Sequence, residues 1–313
     1  MIAVLIVSLL LFFAEIVFIR TARRSGLSAI PVSRSSHTVP TVSGAGIIFP
    51  LGIFACTALF QPRYAIFTAG LALLSAVSFA DDIRPISAGR RFAVQGVAAL
   101  LMLLQGLPSG YSQWWALFAL FCILAIVNAY NFMDGINGIT GLYTLAVLLP
   151  LICINRTTPF ITPEILYVTL AAILTFLFFN CRRRAVCFCG DVGSVSLGYI
   201  LAFATLLLIL RTFDLSYIAL FLVYGIDTAA TLVRRALRRE NLATAHRMHA
   251  YQLLANELRI PHIAVATIYA LLQLLISAGL LYSHLSPCIY LPAVTVALLA
   301  AYAAVVQAAG KRK

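Results

Sequence analysis

Residues 188–212 read FCGDVGSVSLGYILAFATLLLILRT. From 194 to 210 no side chain is charged, and the run is long enough to cross a hydrocarbon core roughly 30 Å thick as a helix rising about 1.5 Å per residue. It opens on Gly190-Asp191-Val192-Gly193-Ser194 and closes on Arg211. The same pattern, a long apolar run punctuated by short polar segments, recurs along the chain near 1–19, 43–60, 64–80, 92–107, 113–129, 139–154, 164–180, 215–233, 262–283 and 287–309. Of 313 residues, 62% are hydrophobic, against about 45–50% in soluble domains, so a soluble fold is excluded. With 18 Gly and 12 Pro the chain is neither collagen-like nor of disordered composition. The fold class expected is all-α: a polytopic integral membrane protein of about eleven transmembrane helices. No segment between spans could hold a second soluble domain, so residues 1–313 form a single integral membrane domain.

The formal charge of +12 would suggest a polyanionic partner in a soluble protein. Here it sorts by loop. With eleven spans, 19 of the 22 Lys and Arg residues fall on one side and only Arg63, Arg156 and Arg211 on the other. By the positive-inside rule the N-terminus lies outside and the C-terminus in the cytoplasm. Most of the excess sets topology, so no nucleic-acid partner is expected. The first span lacks a basic start and an A-x-A-like site, which favours a retained helix over a signal peptide.

Carboxylates are costly in hydrocarbon, so the positions of ten Asp and Glu residues are informative. Asp81 and Asp82 end the third span. Two adjacent carboxylates there repel one another and face the negative end of the helix dipole, so a divalent metal or the nearby Arg84, Arg90 and Arg91 should compensate them. In Asn128-Ala-Tyr-Asn131-Phe-Met-Asp134-Gly135-Ile-Asn137, amide and carboxylate groups recur every three residues, which would align them on one helical face. Oxygen ligands and amides beside apolar spans suit Mg²⁺ with a phosphorylated substrate. The segment 188–194 resembles a helix start, where Asp191 or Ser194 could accept amide hydrogens and where a diphosphate or its metal could bind. In the longest loop, Thr244-Ala-His246-Arg247-Met-His249-Ala-Tyr251-Gln252 would place His246 and His249 on one helical face beside Arg247, a cluster suited to phosphate oxygens. All four elements fall on the cytoplasmic side of the expected topology. Together they describe a metal-dependent site for a polyanionic substrate at the membrane surface.

These four ordered motifs resemble the polyprenyl-phosphate N-acetylhexosamine-1-phosphate transferases, of glycosyltransferase family 4 type, the family of phospho-MurNAc-pentapeptide translocase and undecaprenyl-phosphate GlcNAc-1-phosphate transferase. His246-Arg247-x-His249-x-Tyr251-Gln252 and Arg34-Ser-Ser-His37-Thr-Val-Pro40-Thr41 look closest to the branch that initiates O-antigen or related surface polysaccharides. The resemblance implies transfer of a sugar 1-phosphate from a UDP-N-acetylhexosamine to undecaprenyl phosphate, with release of UMP and a need for Mg²⁺ or Mn²⁺. It implies a bacterial inner membrane with the active site on the cytoplasmic face, and is compatible with a homodimer. By motif, Asp191 would be the metal ligand with Asp82 beside it, and Asp81 would orient the lipid phosphate or act as base. Asn128, Asn131, Asp134 and Asn137 would hold the nucleotide-sugar, Phe188 would stack on uracil, and His246, Arg247 and His249 would meet phosphates.

Three departures stand out. The family's lysine after the carboxylate pair is missing, and Arg84 is its expected stand-in, although Arg and Lys are not equivalent. Position 137 is Asn where many members have Asp. Val42-Ser43-Gly44-Ala45-Gly46 replaces a glycine-rich run containing an arginine, which is the one feature favouring an inactive, scaffold-like member. The rival from another class, a transporter or flippase, would place its carboxylates near mid-membrane.

Overall fold

The computed structural model describes residues 2–31, 36, 39–108, 110–241, 244 and 246–311; Arg34, His37, Arg312 and Lys313 lie outside the described residues. Twelve helices follow in order: α1 (Ile2–Ser25), α2 (Ile48–Phe60), α3 (Ala65–Ile83), α4 (Ala88–Gly106), α5 (Gln113–Met133), α6 (Ile139–Thr157), α7 (Pro163–Asn180), α8 (Gly190–Thr212), α9 (Leu222–Leu237), the one-turn α10 (Ala250–Gln252), α11 (His262–Tyr282) and α12 (Pro287–Gly310). Each of the eleven expected spans is therefore a helix. Among the described residues, nine helical segments are long and apolar enough to cross a membrane, and α2 extends a shorter apolar run, Ala45–Phe60. The remaining span, α4, carries Arg90, Arg91 and Gln95 in its first turns.

Two two-residue strands, β1 (Ser28–Ala29) and β2 (Thr41–Val42), pair antiparallel, and Val42 also bridges Cys187 in parallel. Such a patch is tolerated only where protein or water satisfies its backbone, and it sits at the end of the bundle that carries the motifs.

Burial is inverted relative to a soluble protein. The helices α1 and α12 expose Leu5, Leu9, Phe13, Ile289 and Val296, whereas α8 is buried nearly throughout. Around α8 the helices approach closely over small residues, the means by which helices associate where lipid removes the hydrophobic drive. Gly198 lies on Val127 and Tyr130 of α5, and Gly193 lies on Gly46. Tyr199 donates to the carbonyl of Ala98 at 2.8 Å, tying α8 to α4. Between α8 and α9 the chain passes through a 3₁₀ segment, Leu215–Phe221, whose irregular backbone needs partners. Gln273 of α11 supplies them, accepting from the Val223 amide at 3.2 Å and donating to the Ala219 carbonyl at 3.0 Å.

The packing brings the C-terminal ends of α3, α5 and α9 and the N-terminal end of α8 to one end of the bundle, where Gly46 seats the 3₁₀ turn Ala45–Ile47 against α8. A Cβ at Gly46 would overlap the backbone of Gly193, which cannot yield as a flexible side chain can. Gly46→Ala should therefore cost about 1–3 kcal/mol of stability, read as a lower melting temperature of the detergent-solubilised protein. An unchanged melting temperature would contradict this packing.

Candidate active site between two cavities

The junction of α3 and α8 organises the site. Asp82 accepts the backbone amides of Asp191 at 2.9 Å and Val192 at 3.0 Å, one on each carboxylate oxygen. It thus satisfies two of the unpaired donors at the start of α8 and places a negative charge at the positive end of the helix dipole. The anion at this helix start is the protein's own carboxylate, rather than the Asp191 or Ser194 side chain expected from sequence. Gly190 makes the approach feasible: its φ is +72°, and a Cβ would lie 2.6 and 2.7 Å from the two Asp82 oxygens.

Asp81 accepts the Ile86 amide at 2.5 Å on one oxygen and Arg91 Nη1 at 2.8 Å on the other. The same Nη1 lies 3.0 Å from Asp191 Oδ2. The cation compensating the carboxylates is therefore Arg91, one turn into α4. Arg84, the expected stand-in for the missing lysine, is the exposed C-cap of α3 and has no ion pair among the described residues.

The three-residue recurrence survives only in part. Asn128 donates to Gln95 Oε1 and the Leu124 carbonyl, both at 2.8 Å, and Asn131 shares a cavity wall with Asp191. α5 then ends at Met133, with Asp134 as its C-cap accepting from Thr140 Oγ1 at 2.5 Å. Burial pushes the Asp134 carboxyl up to about 7, with the neighbouring Asp191 charge adding to the effect and the Thr140 bond opposing it. Asn137 lies past the break and is buried, donating to the Arg182 carbonyl at 2.9 Å. Asn180, to which sequence reasoning assigned no role, accepts the Gly138 amide at 2.7 Å and donates to the Cys187 carbonyl at 2.8 Å. Asn137 and Asn180 thus lace the loop after α5 to the loop after α7.

His246 and His249 have ring centroids 4.9 Å apart, although no helix joins them, since α10 begins at Ala250. Burial lowers the His246 pKa to about 4, helped by the neighbouring His249 ring and the Arg235 charge, so its imidazole is neutral near pH 7. His249 is buried, with Nδ1 3.3 Å from Asp227. Arg247 is exposed and pairs with Glu257 at 3.3 Å. Phe188 is fixed by its backbone, donating to the Val42 carbonyl at 2.7 Å and accepting from Ala45 at 3.1 Å.

Two cavities meet here. One, of about 390 Å³, has apolar walls that include Leu74, Val77 and Phe92, and polar groups from Arg91, Asn128 and Asn131. The other, of about 430 Å³, is lined by Asp82, Asp134, Asn137, Phe188, His246 and Gln252. Asp191 lines both. A third cavity of about 300 Å³, walled by Trp115, Phe118, Leu206 and Leu210, lies toward the opposite ends of α5 and α8 and holds none of the motif residues. Among the described residues no three His, Cys, Asp or Glu side chains converge to cage a metal. The donors around Asp191 are oxygens, which fits a hard cation such as Mg²⁺ that takes one or two carboxylates and completes its shell with water and substrate phosphate.

Residues 64–209 match the family model described as glycosyl transferase family 4. The matched stretch contains Asp81, Asp82, the 128–137 run and 188–194, and ends before the histidine loop. No curated protein matches the chain.

Because Asp134 titrates near 7 when folded and near 3.8 ordinarily, the folded chain holds a proton that the unfolded chain has lost between those values. Its contribution to stability therefore falls as pH rises from about 4 to 7 and then levels. In EDTA, Asp134→Asn should gain on wild type by roughly a few degrees of melting temperature between pH 5 and pH 8. A pH-independent difference would refute the assignment.

Proposed function

We propose, from the match of residues 64–209 to the glycosyl transferase family 4 model, that the chain is a polyprenyl-phosphate sugar-1-phosphate transferase that takes a UDP-N-acetylhexosamine as donor and undecaprenyl phosphate as acceptor. The observation that carries the reading is the position of Asp191 on the walls of both cavities. A reaction between an amphipathic phosphate and a polar nucleotide needs two unlike compartments meeting at one anionic, metal-competent point.

The apolar-walled cavity suits the acceptor, with prenyl carbons against Leu74, Val77 and Phe92 and the phosphate toward Arg91, Asn128 and Asn131. The polar cavity suits the donor, with Phe188 available to stack on uracil and Asp134, Asn137 and His246 around the sugar diphosphate. His246, neutral near pH 7, acts there as a hydrogen-bonding group rather than a cation. An acceptor phosphate oxygen attacks the β-phosphorus, the bond from that phosphorus to the bridging oxygen breaks, and UMP leaves. A phosphate monoester has a second pKa near 6 and needs little help to deprotonate. Asp81, engaged by Arg91 and the Ile86 amide, accordingly orients Arg91 toward the acceptor phosphate more than it abstracts a proton. A divalent cation, Mg²⁺ or Mn²⁺, held by Asp191 with Asp82 behind it, would neutralise diphosphate charge. Catalysis then rests on positioning and electrostatics.

The bias of 19 basic residues to the motif-bearing side supports a site facing the cytoplasm, and the family resemblance supports a bacterial inner membrane. The histidine loop supports a role in the first step of lipid-linked O-antigen or another surface polysaccharide. Carboxylates gathered at one end of the bundle, rather than at mid-membrane, argue against a transporter.

Purified protein with Mg²⁺, undecaprenyl phosphate and a panel of UDP-N-acetylhexosamines should release UMP. Asp191→Ala should lower the rate by about 100-fold or more at unchanged protein yield. Absence of UMP with every donor, from folded protein in the presence of lipid, would end this reading.

A further inference from the structure

Asp227 lies in α9, 3% exposed, and belongs to none of the four motifs. A carboxylate buried in a span is costly unless donors surround it. Asp227 has five: the amides of Ala250 at 2.9 Å and Tyr251 at 3.2 Å, Tyr269 Oη at 2.6 Å, and Thr231 Oγ1 and His249 Nδ1 at 3.3 Å each. Thr231 and Arg235 follow Asp227 at four-residue intervals on the same face of α9. Arg235, 2% exposed, bonds Glu240 at 3.0 Å and the carbonyl of Asn241 at 2.6 Å. One face of α9 therefore binds both ends of the histidine loop, at Glu240–Asn241 and at 249–251.

The loop in turn grips the end of α5. Tyr251 Oη donates to the Phe132 carbonyl at 3.0 Å, and it fills the space that a Cβ on Gly135 would need. The His249 ring lies against Phe132, centroids 6.2 Å apart and planes inclined by 28°. Phe132 and Gly135 flank Asp134, and Gly135 itself lines the polar cavity.

The geometry points to Asp227 as a positioning residue for the nucleotide-sugar cavity: through Tyr251 and His249 it fixes the turn at Phe132–Gly135, and with it the placement of Asp134 beside Asp191. His249 accordingly serves the substrate through this turn, its Nδ1 being committed to Asp227. The catalytic consequence rests on the proposed transferase reading. The mechanical one does not.

Two variants test it. Tyr251→Phe removes one hydroxyl and leaves the ring. Asp227→Asn keeps the shape and removes the charge. In both, KM for the UDP-sugar should rise about tenfold while KM for undecaprenyl phosphate stays within about twofold of wild type. In substrate-free protein, amide hydrogen exchange over 131–137 should accelerate while exchange in α1 and α12 is unchanged. That exchange result decides the inference even if the wild-type chain releases no UMP, and Tyr251→Phe decides it if Asp227→Asn does not fold. Unaltered exchange at 131–137 would overturn it. So would a fall in kcat that only tracks the folded fraction, with donor KM unmoved, which would leave Asp227 a purely structural group.

Discussion

The amide hydrogens of Asp191 and Val192 both point into the carboxylate of Asp82, at 2.9 and 3.0 Å, and the arrangement around them follows from that bridge. It joins the last turn of α3 to the first turn of α8. Since α8 is the most enclosed helix of the bundle, the position of its first turn fixes everything that packs on it. The bridge requires Gly190 in a left-handed conformation with no side chain, and Gly46 and Gly193 in backbone contact. With the amide of Asp191 held in this way, its side chain stands where the two cavities meet.

Electrostatics sharpens the consequence. Asp81, Asp82, Asp134 and Asp191 crowd one end of a chain whose formal charge is +12, and Arg91 is the guanidinium paired with them among the described residues. Asp82 is offset by the helix start, and Asp81 and Asp191 share Arg91. Asp134 has no cation beside it among the described residues, and burial, opposed only by the Thr140 hydroxyl, pushes its carboxyl up to about 7. The junction is short of positive charge in a basic protein, the condition under which oxygen donors favour a divalent cation.

Much of this was readable in the sequence because the signals are local. A run of apolar residues is a span whatever surrounds it, and charge asymmetry orders the loops once the spans are counted. Asp81-Asp82, Asn128 to Asp134 and Gly190-Asp191 stood out because polar groups are rare beside hydrocarbon. What escaped was set by tertiary pairing. Proximity in sequence favoured Arg84, but α3 ends before it and the turn into α4 carries Arg91 back over the carboxylates. Periodicity placed Asn137 with Asn128 and Asn131, but the helix stops at Met133 and Gly138, at φ +82°, turns the chain away. His246 and His249 looked equivalent three residues apart. One borders the polar cavity and the other is turned onto Asp227, a difference that depends on α9, remote from both in sequence. Asn180 has no role in the sequence reading, since its spacing to Asp191 is one residue longer than the family pattern and its partners, Gly138 and Cys187, are a backbone amide and a backbone carbonyl.

In the proposed reaction two substrates meet at Asp191, and a phosphorylated sugar, not a bare sugar, crosses between them. A UDP-N-acetylhexosamine labelled with ³²P in its β-phosphate distinguishes the two transfers. In the presence of undecaprenyl phosphate and Mg²⁺ the label should move into the organic-extractable lipid, unlabelled UMP should remain in the aqueous phase, and Asp191→Ala should stop both. Label retained in water as UDP while the sugar alone enters the lipid would contradict the account.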